Sequence, residues 1–213
     1  MTDSLGVRYE KLFEDILVPA AALLQSHIAN VLSGVERVDA ISARAKSPTR
    51  FAGKALKLDD SGNLKYSDPL NQIQDQIGAR ITVLYLSDIP LVKSIIDDFY
   101  LSIEWQLKRP ENDSEFGYFG EHFILRLPDD AIPDGTEDVA PKFFELQIKT
   151  IYQHAWSECH HDIGYKAPRE LTSYERRQMA FSAAQSWGAD QIFLKLADDL
   201  VSSNDNEGKA STE

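Results

Sequence analysis

The stretch Phe144–Lys166, FELQIKTIYQHAWSECHHDIGYK, crowds acids, amides and bases into a short span. Alternation over 144–149 puts Glu145, Gln147 and Lys149 on one face of a strand and Phe144, Leu146 and Ile148 on the other. A carboxylate on such a polar face can bind a metal or take a proton. In the helix that follows, a step of about 100° per residue gathers His154, Glu158, His161, Asp162 and Tyr165 on one side. Ala155, Trp156, Cys159 and Ile163 fall on the other. His, Glu and Asp together invite a zinc site, but no zincin-type spacing is present and the same residues suit the wall of a polar site.

Three further segments offer chemistry. Between Arg44 and Lys57 stand five basic residues (Arg44, Lys46, Arg50, Lys54, Lys57) and no acid. Ser42, Arg44 and Lys46 share one strand face, and Lys54 follows on a helix. Planar guanidinium forks and compact ammonium charges suit a polyphosphate, although a solvated basic loop has the same composition. In IQDQIGARITVL, Asp75 stands at a strand entrance beside Gly78 and Arg80. That position serves a metal-binding carboxylate or plain turn chemistry equally well. In EFGYFGEHF, Gly117 and Gly120 flank Tyr118, with His122 nearby. The glycines permit close backbone approach, and the ring could stack on a flat base or simply pack in a turn.

These side chains need a scaffold. The chain has 213 residues, 43% hydrophobic and 26% charged, enough for one substantial core. One cysteine, Cys159, excludes a disulfide framework and makes a reducing cytoplasm the expectation. No uninterrupted apolar run reaches the roughly 18 residues of a membrane span, and MTDSLGVRYEKLFED is too charged for a signal peptide. A net charge of −12 argues against general nucleic-acid binding, while one concentrated cationic segment points to a dedicated anion site.

The apolar spacing predicts a helix over 7–33, kinked or divided at Pro19, and strands at 38–47, 79–86, 103–109, 121–127 and 142–149. Short helices are expected at 49–58 and 87–100, the latter capped by Ser87, and a long one at 171–201. Residues 202–213 read as a disordered polar tail. No linker divides 1–201, in which 1–34 form an N-terminal helical segment. The expected fold is α+β, a mixed central sheet of about five strands flanked by helices, since neighbouring strands such as 121–127 and 142–149 can pair antiparallel.

In this order the segments resemble the synthetase domain of the RelA/SpoT family, the alarmone (guanosine penta- and tetraphosphate) synthetases. RAKSPTRFAGK resembles the family's RxK segment, DQIGARI its DxxGxRI, FGYFGEH its guanine-binding GYxxxH loop, FELQIKT its EIQIRT strand, and HAWSECHHDIGYK the helix after it. The resemblance covers about residues 35–200 and, at this length, points to the small alarmone synthetase type. It implies a nucleotidyltransferase-like synthetase fold and transfer of a pyrophosphoryl group from ATP to the 3′-hydroxyl of GDP or GTP, with Mg²⁺ as cofactor and a homo-oligomer as one outcome. It also implies roles. Arg44 and Arg80 would sandwich adenine, and Lys46 and Lys54 would hold the ATP phosphates. Asp75 and Glu145 would bind Mg²⁺, with Glu145 taking the acceptor's proton. Tyr118 would stack on guanine, His122 would meet the acceptor phosphates, and Gln147 and Lys149 would border that site. His154, Glu158 and His161 would form a wall. Several positions depart from the pattern: Arg50 replaces a serine, Phe119 an arginine, Lys149 an arginine and His160 a glutamate. Two alternatives stand beside this expectation: the family's toxic branch, acting on the tRNA 3′ end or on adenosine nucleotides, and an inactive nucleotide-binding module. The −12 charge weighs against tRNA, and the presence of both Asp75 and Glu145 weighs against inactivity.

Overall fold

The computed structural model describes residues 4–210 except 113, 114, 118, 167 and 168, and side chains over that span except 164–166 and 201–210. Five strands form one sheet: β1 (Val38–Ala45), β2 (Ile77–Val83), β3 (Ser102–Lys108), β4 (Gly120–Arg126) and β5 (Phe143–Thr150). Their order is β1-β2-β5-β4-β3. Only β2 and β5 run parallel; the other neighbours are antiparallel. The expected mixed five-strand sheet is therefore the observed one.

Alternation gives this sheet two unlike faces. Ile77, Ala79, Ile81 and Val83 of β2 are buried together with Phe123 and Leu125 of β4 and Phe144, Leu146 and Ile148 of β5. Against them pack α2 (Val18–Val31), through Leu24 and Ile28, and α5 (Asp88–Phe99), through Val92 and Ile96. Leu5–Val31 is long and apolar enough to cross a membrane by length and composition alone, yet its stripe of Leu17, Ala20, Ala21, Leu24 and Ile28 is used in this core. The opposite face carries the alternate, polar residues. In register, Ser42, Arg80, Gln147 and His122 line up across four strands, and Arg44, Gly78 and Glu145 form the row beside them.

The N-terminal helix is divided just ahead of Pro19, as the sequence predicts. α1 (Leu5–Leu12) passes into a π-helical turn over Phe13–Leu17 before α2 begins, which accommodates the proline's missing N–H. Ser87 occupies the cap position of α5 but makes no capping bond. Its neighbour Asp88 acts instead: Oδ2 accepts from the Tyr85 N–H at 3.0 Å, and Oδ1 pairs with Arg37 at 3.0 Å.

Helix α3 (Pro48–Ala55) follows β1, the short α4 (Pro69–Gln72) precedes β2, and α6 (Ile151–Lys166) follows β5 without a loop. The apolar side expected for α6 is not its buried side. Cys159 and Ile163 are exposed, and Ser157 is the buried residue, because this helix rests on the polar end of β5. The last helix, α7 (Ser173–Ala210), starts at a capping box in which the Thr172 N–H reaches Glu175 Oε2 at 2.8 Å and the Glu175 N–H reaches Thr172 Oγ1 at 3.2 Å. It runs beyond 201 into the stretch expected as a tail; extending a nucleated helix costs little, and no proline interrupts 202–210.

Candidate active site

The polar face holds a cleft of about 390 Å³. Arg44 and Lys46 from the end of β1, Arg50 from α3, Asp75, Gly78 and Arg80 from the β2 segment, and Glu145 and Gln147 from β5 line it together. Residues far apart in sequence thus meet because β2 and β5 are neighbours, with Gly78 opposite Glu145 and Arg80 opposite Gln147. Gly78 leaves the floor open between Arg44 and Glu145, and a Cβ there would touch nothing within 4 Å.

Asp75 is not on a strand. It sits in a 3₁₀ turn, Gln74–Gln76, at φ −94° and ψ 35°, just ahead of β2. That turn aims its carboxylate back at the basic segment. Oδ2 takes Lys46 Nζ at 3.0 Å and Lys54 Nζ at 2.8 Å, while Oδ1 is buried with no hydrogen bond. The Lys46 backbone is pinned from both sides. Its N–H donates to the Gln76 carbonyl at 2.8 Å, and its carbonyl accepts from Tyr9 Oη at 2.8 Å. The Tyr9 ring stacks on Phe51 of α3 at 3.6 Å. Burial, and then the Asp75 charge, raise the Tyr9 phenol, so it stays a donor. Nothing in the sequence nominates Tyr9 for the site; an aromatic on a helix at apolar spacing reads as core.

Glu145 accepts from Gln147 Nε2 at 3.0 Å, and its other oxygen lies 3.2 Å from His122 Nδ1. Burial works to raise its carboxyl, but the bonds from His122 and Gln147 and the Lys46 charge outweigh it and keep the group below the ordinary carboxylate value. Glu145 is therefore held as a carboxylate with both oxygens oriented by neighbours.

Arg80 is tied to α6. Its Nη1 donates to His154 Nδ1 at 2.8 Å, and its Nη2 meets Glu158 Oε1 at 3.0 Å. Burial and the Arg80 charge lower the His154 ring, which keeps the neutral form that can accept this bond. Burial would raise Glu158, but Arg80 prevails and lowers it. His161 is lowered by burial and then by the Arg50 charge. The expected wall is thus next to the cleft, and its first two residues hold a guanidinium in place. Lys149 behaves differently from its strand neighbours. It is 3% exposed, does not line the cleft, and its Nζ donates to Ser157 Oγ at 3.2 Å beneath α6. Burial, reinforced by the Arg80 charge, pushes its ammonium down to about 8. Tyr118 and the side chain of Tyr165 lie outside the described residues.

Among the described residues no three His, Cys, Asp or Glu side chains gather as a metal cage. Two carboxylates lining one cleft, one with an unpartnered oxygen, do fit Mg²⁺, an ion that takes one or two protein carboxylates and completes its shell with phosphate and water.

The fold is similar to solved structures. Small alarmone synthetase 1 from Bacillus subtilis matches with a TM-score of 0.74 at 16% identity, over 94% of this chain and 100% of that one. The same protein bound to its product pppGpp matches at 0.71 and 15%, over 93% and 99%. A GTP pyrophosphokinase family protein from Streptococcus pneumoniae matches at 0.73 and 15%, over 92% and 96%. No curated protein matches the chain. Residues 43–170 match the model of the region found in RelA / SpoT proteins. That stretch is more than half of the chain and contains Arg44, Asp75, Arg80 and Glu145, so this protein belongs to the RelA/SpoT family.

Proposed function

We propose that the protein is a pyrophosphokinase that moves the β,γ-pyrophosphoryl group of ATP to the 3′-hydroxyl of GDP or GTP. The products are guanosine tetra- or pentaphosphate and AMP. One observation carries this: a single cleft sets Arg44, Lys46, Arg50 and Arg80 around the carboxylates of Asp75 and Glu145. A relative of the same fold is described with pppGpp as its product, which supports the same product class here.

The chemistry needs alignment and positive charge more than covalent help. The acceptor's 3′-oxygen attacks the β-phosphorus, the bond from that phosphorus to the α,β-bridging oxygen breaks, and AMP leaves. Glu145 takes the hydroxyl proton; His122 and Gln147 fix its two oxygens for that task. Lys46 and Lys54, which neutralise Asp75 in the free protein, turn to the polyphosphate when ATP enters. Arg44 and Arg80 both line the cleft, and Arg80 is held by His154 and Glu158, an arrangement suited to flanking a flat base. Asp75 and Glu145 would hold Mg²⁺, which when bound would neutralise charge on the transferring phosphoryl oxygens.

Incubation with labelled ATP and, separately, GDP, GTP, GMP, ADP and bulk tRNA tests this. Label on GDP or GTP with stoichiometric AMP is expected. Label on tRNA alone, or on no acceptor, overturns it.

A further inference from the structure

A second cavity, of about 200 Å³, opens between the loop ahead of β4 and the helices α6 and α7. Gly117 and Phe119 form its loop side, Trp156 its α6 side, and Trp187 and Asp190 its α7 side. Aromatic walls around a space for one bicyclic base favour a flat ligand. The anomaly is Asp190, a carboxylate only 3% exposed. Thr150 Oγ1 donates to its Oδ2 at 2.9 Å, while Oδ1 is buried and accepts no hydrogen bond. An acceptor buried without a donor is a standing cost to the fold, and a ligand with N–H groups removes it. Burial pushes the carboxyl up to about 6 against the Thr150 bond, which leaves it mostly ionised at neutral pH. Gly117 and Phe119 of this cavity lead directly into β4, the strand whose His122 lies 3.2 Å from Glu145.

We propose that Asp190 reads the Watson–Crick edge of the acceptor's purine base and thereby selects guanine; this rests on the acceptor being a nucleotide, as proposed above. Stacking tolerates any base, so aromatic walls cannot choose one. Phe119 offers no side-chain hydrogen bond, and the choice must come from another group. A carboxylate accepts only. Guanine presents its N1–H and an amino hydrogen on N2 side by side, matching such a group. Hypoxanthine has the N1–H alone. Adenine turns an unprotonated N1 toward the carboxylate, so two acceptors would face each other. A site built around a buried acceptor rejects ligands that lack the donor. Asp190 lies beyond residues 43–170, so the family-wide pattern does not contain it.

The test compares GDP, IDP and ADP as acceptors for the wild type and for Asp190→Asn, with binding of each followed in parallel by calorimetry. The wild type is expected to prefer GDP over IDP by tenfold or more and over ADP by a larger factor. Asp190→Asn should raise the KM for GDP ten- to a hundredfold, leave the KM for ATP unchanged, and bring the GDP-to-IDP ratio close to one. A wild type indifferent to the N2 amino group overturns the proposal without any variant. So does an Asp190→Asn protein that keeps the wild-type preference. If no acceptor is modified, the transfer reading fails, but the calorimetric GDP-to-IDP ratio still decides the role of Asp190.

Discussion

At the residue scale, the two carboxylates of the cleft are not equivalent. Glu145 has both oxygens oriented by neighbours, and Asp75 has one oxygen on two lysines and one with none. Asp75→Asn should keep the fold and lower kcat by about two to four orders of magnitude, the range for losing a positioned charged group. Turnover within tenfold of wild type, measured with saturating ATP, would remove Asp75 from the metal site. Lys149 makes a prediction about stability. Its folded-state value near 8 lies below the unfolded value of about 10.4. Below pH 8 both states are charged, and the fold bears the whole cost of a buried ammonium. Between about 8 and 10.4 the unfolded chain holds the proton and the fold does not, so this residue adds stability as pH rises. Urea melts of wild type and Lys149→Met at pH 7 and 9.5 should show the wild type gaining on the variant. A constant difference would mean the ammonium is not depressed.

At the scale of elements, the cleft is a product of strand register. Gly78 is paired with Arg44 on one side and Glu145 on the other. Its Cβ position is empty space and its backbone is not in the left-handed region, so a side chain there fills the cleft rather than breaking the sheet. Gly78→Val should therefore melt within a few degrees of wild type yet bind ATP at least tenfold more weakly by calorimetry. Unchanged ATP affinity would show that the nucleotide does not lie over β2. Helix α6 acts in the same way from above: its buried contacts are polar, so it positions Arg80 and covers Lys149 rather than building the core.

At the scale of the whole molecule, the N-terminal helix reaches the site through one hydroxyl. Tyr9 holds the Lys46 carbonyl, and that backbone presents the Lys46 ammonium to Asp75. Tyr9→Phe keeps the stack on Phe51 and removes only the hydrogen bond, which should cost about 1 kcal/mol of stability. The informative readout is the KM for ATP, expected to rise severalfold with the KM of the acceptor unchanged. Equal effects on both substrates would indicate a general loosening and not a fixed Lys46.

Much of the protein was legible in its sequence because it depends on local period. Two-residue alternation marked the polar faces of β1 and β5, and apolar spacing marked the helices. The order of helices and strands pointed to a mixed sheet, and the order of short motifs to the family. Period reveals which face a residue takes, but not how deep it lies or what covers it. Glu145, Gln147 and Lys149 share one face, yet α6 closes over the third alone. Asp75 gained its two lysines from a turn and a helix brought together only when β1 paired with β2. The adjacency of β2 and β5, far apart in sequence, joined the basic segment to Glu145. Tyr9 and Asp190 looked like helix residues of no special kind. Only packing placed one hydroxyl on the Lys46 carbonyl and buried one carboxylate beside an aromatic cavity, because long-range contacts, unlike period, are written nowhere in a single stretch of chain.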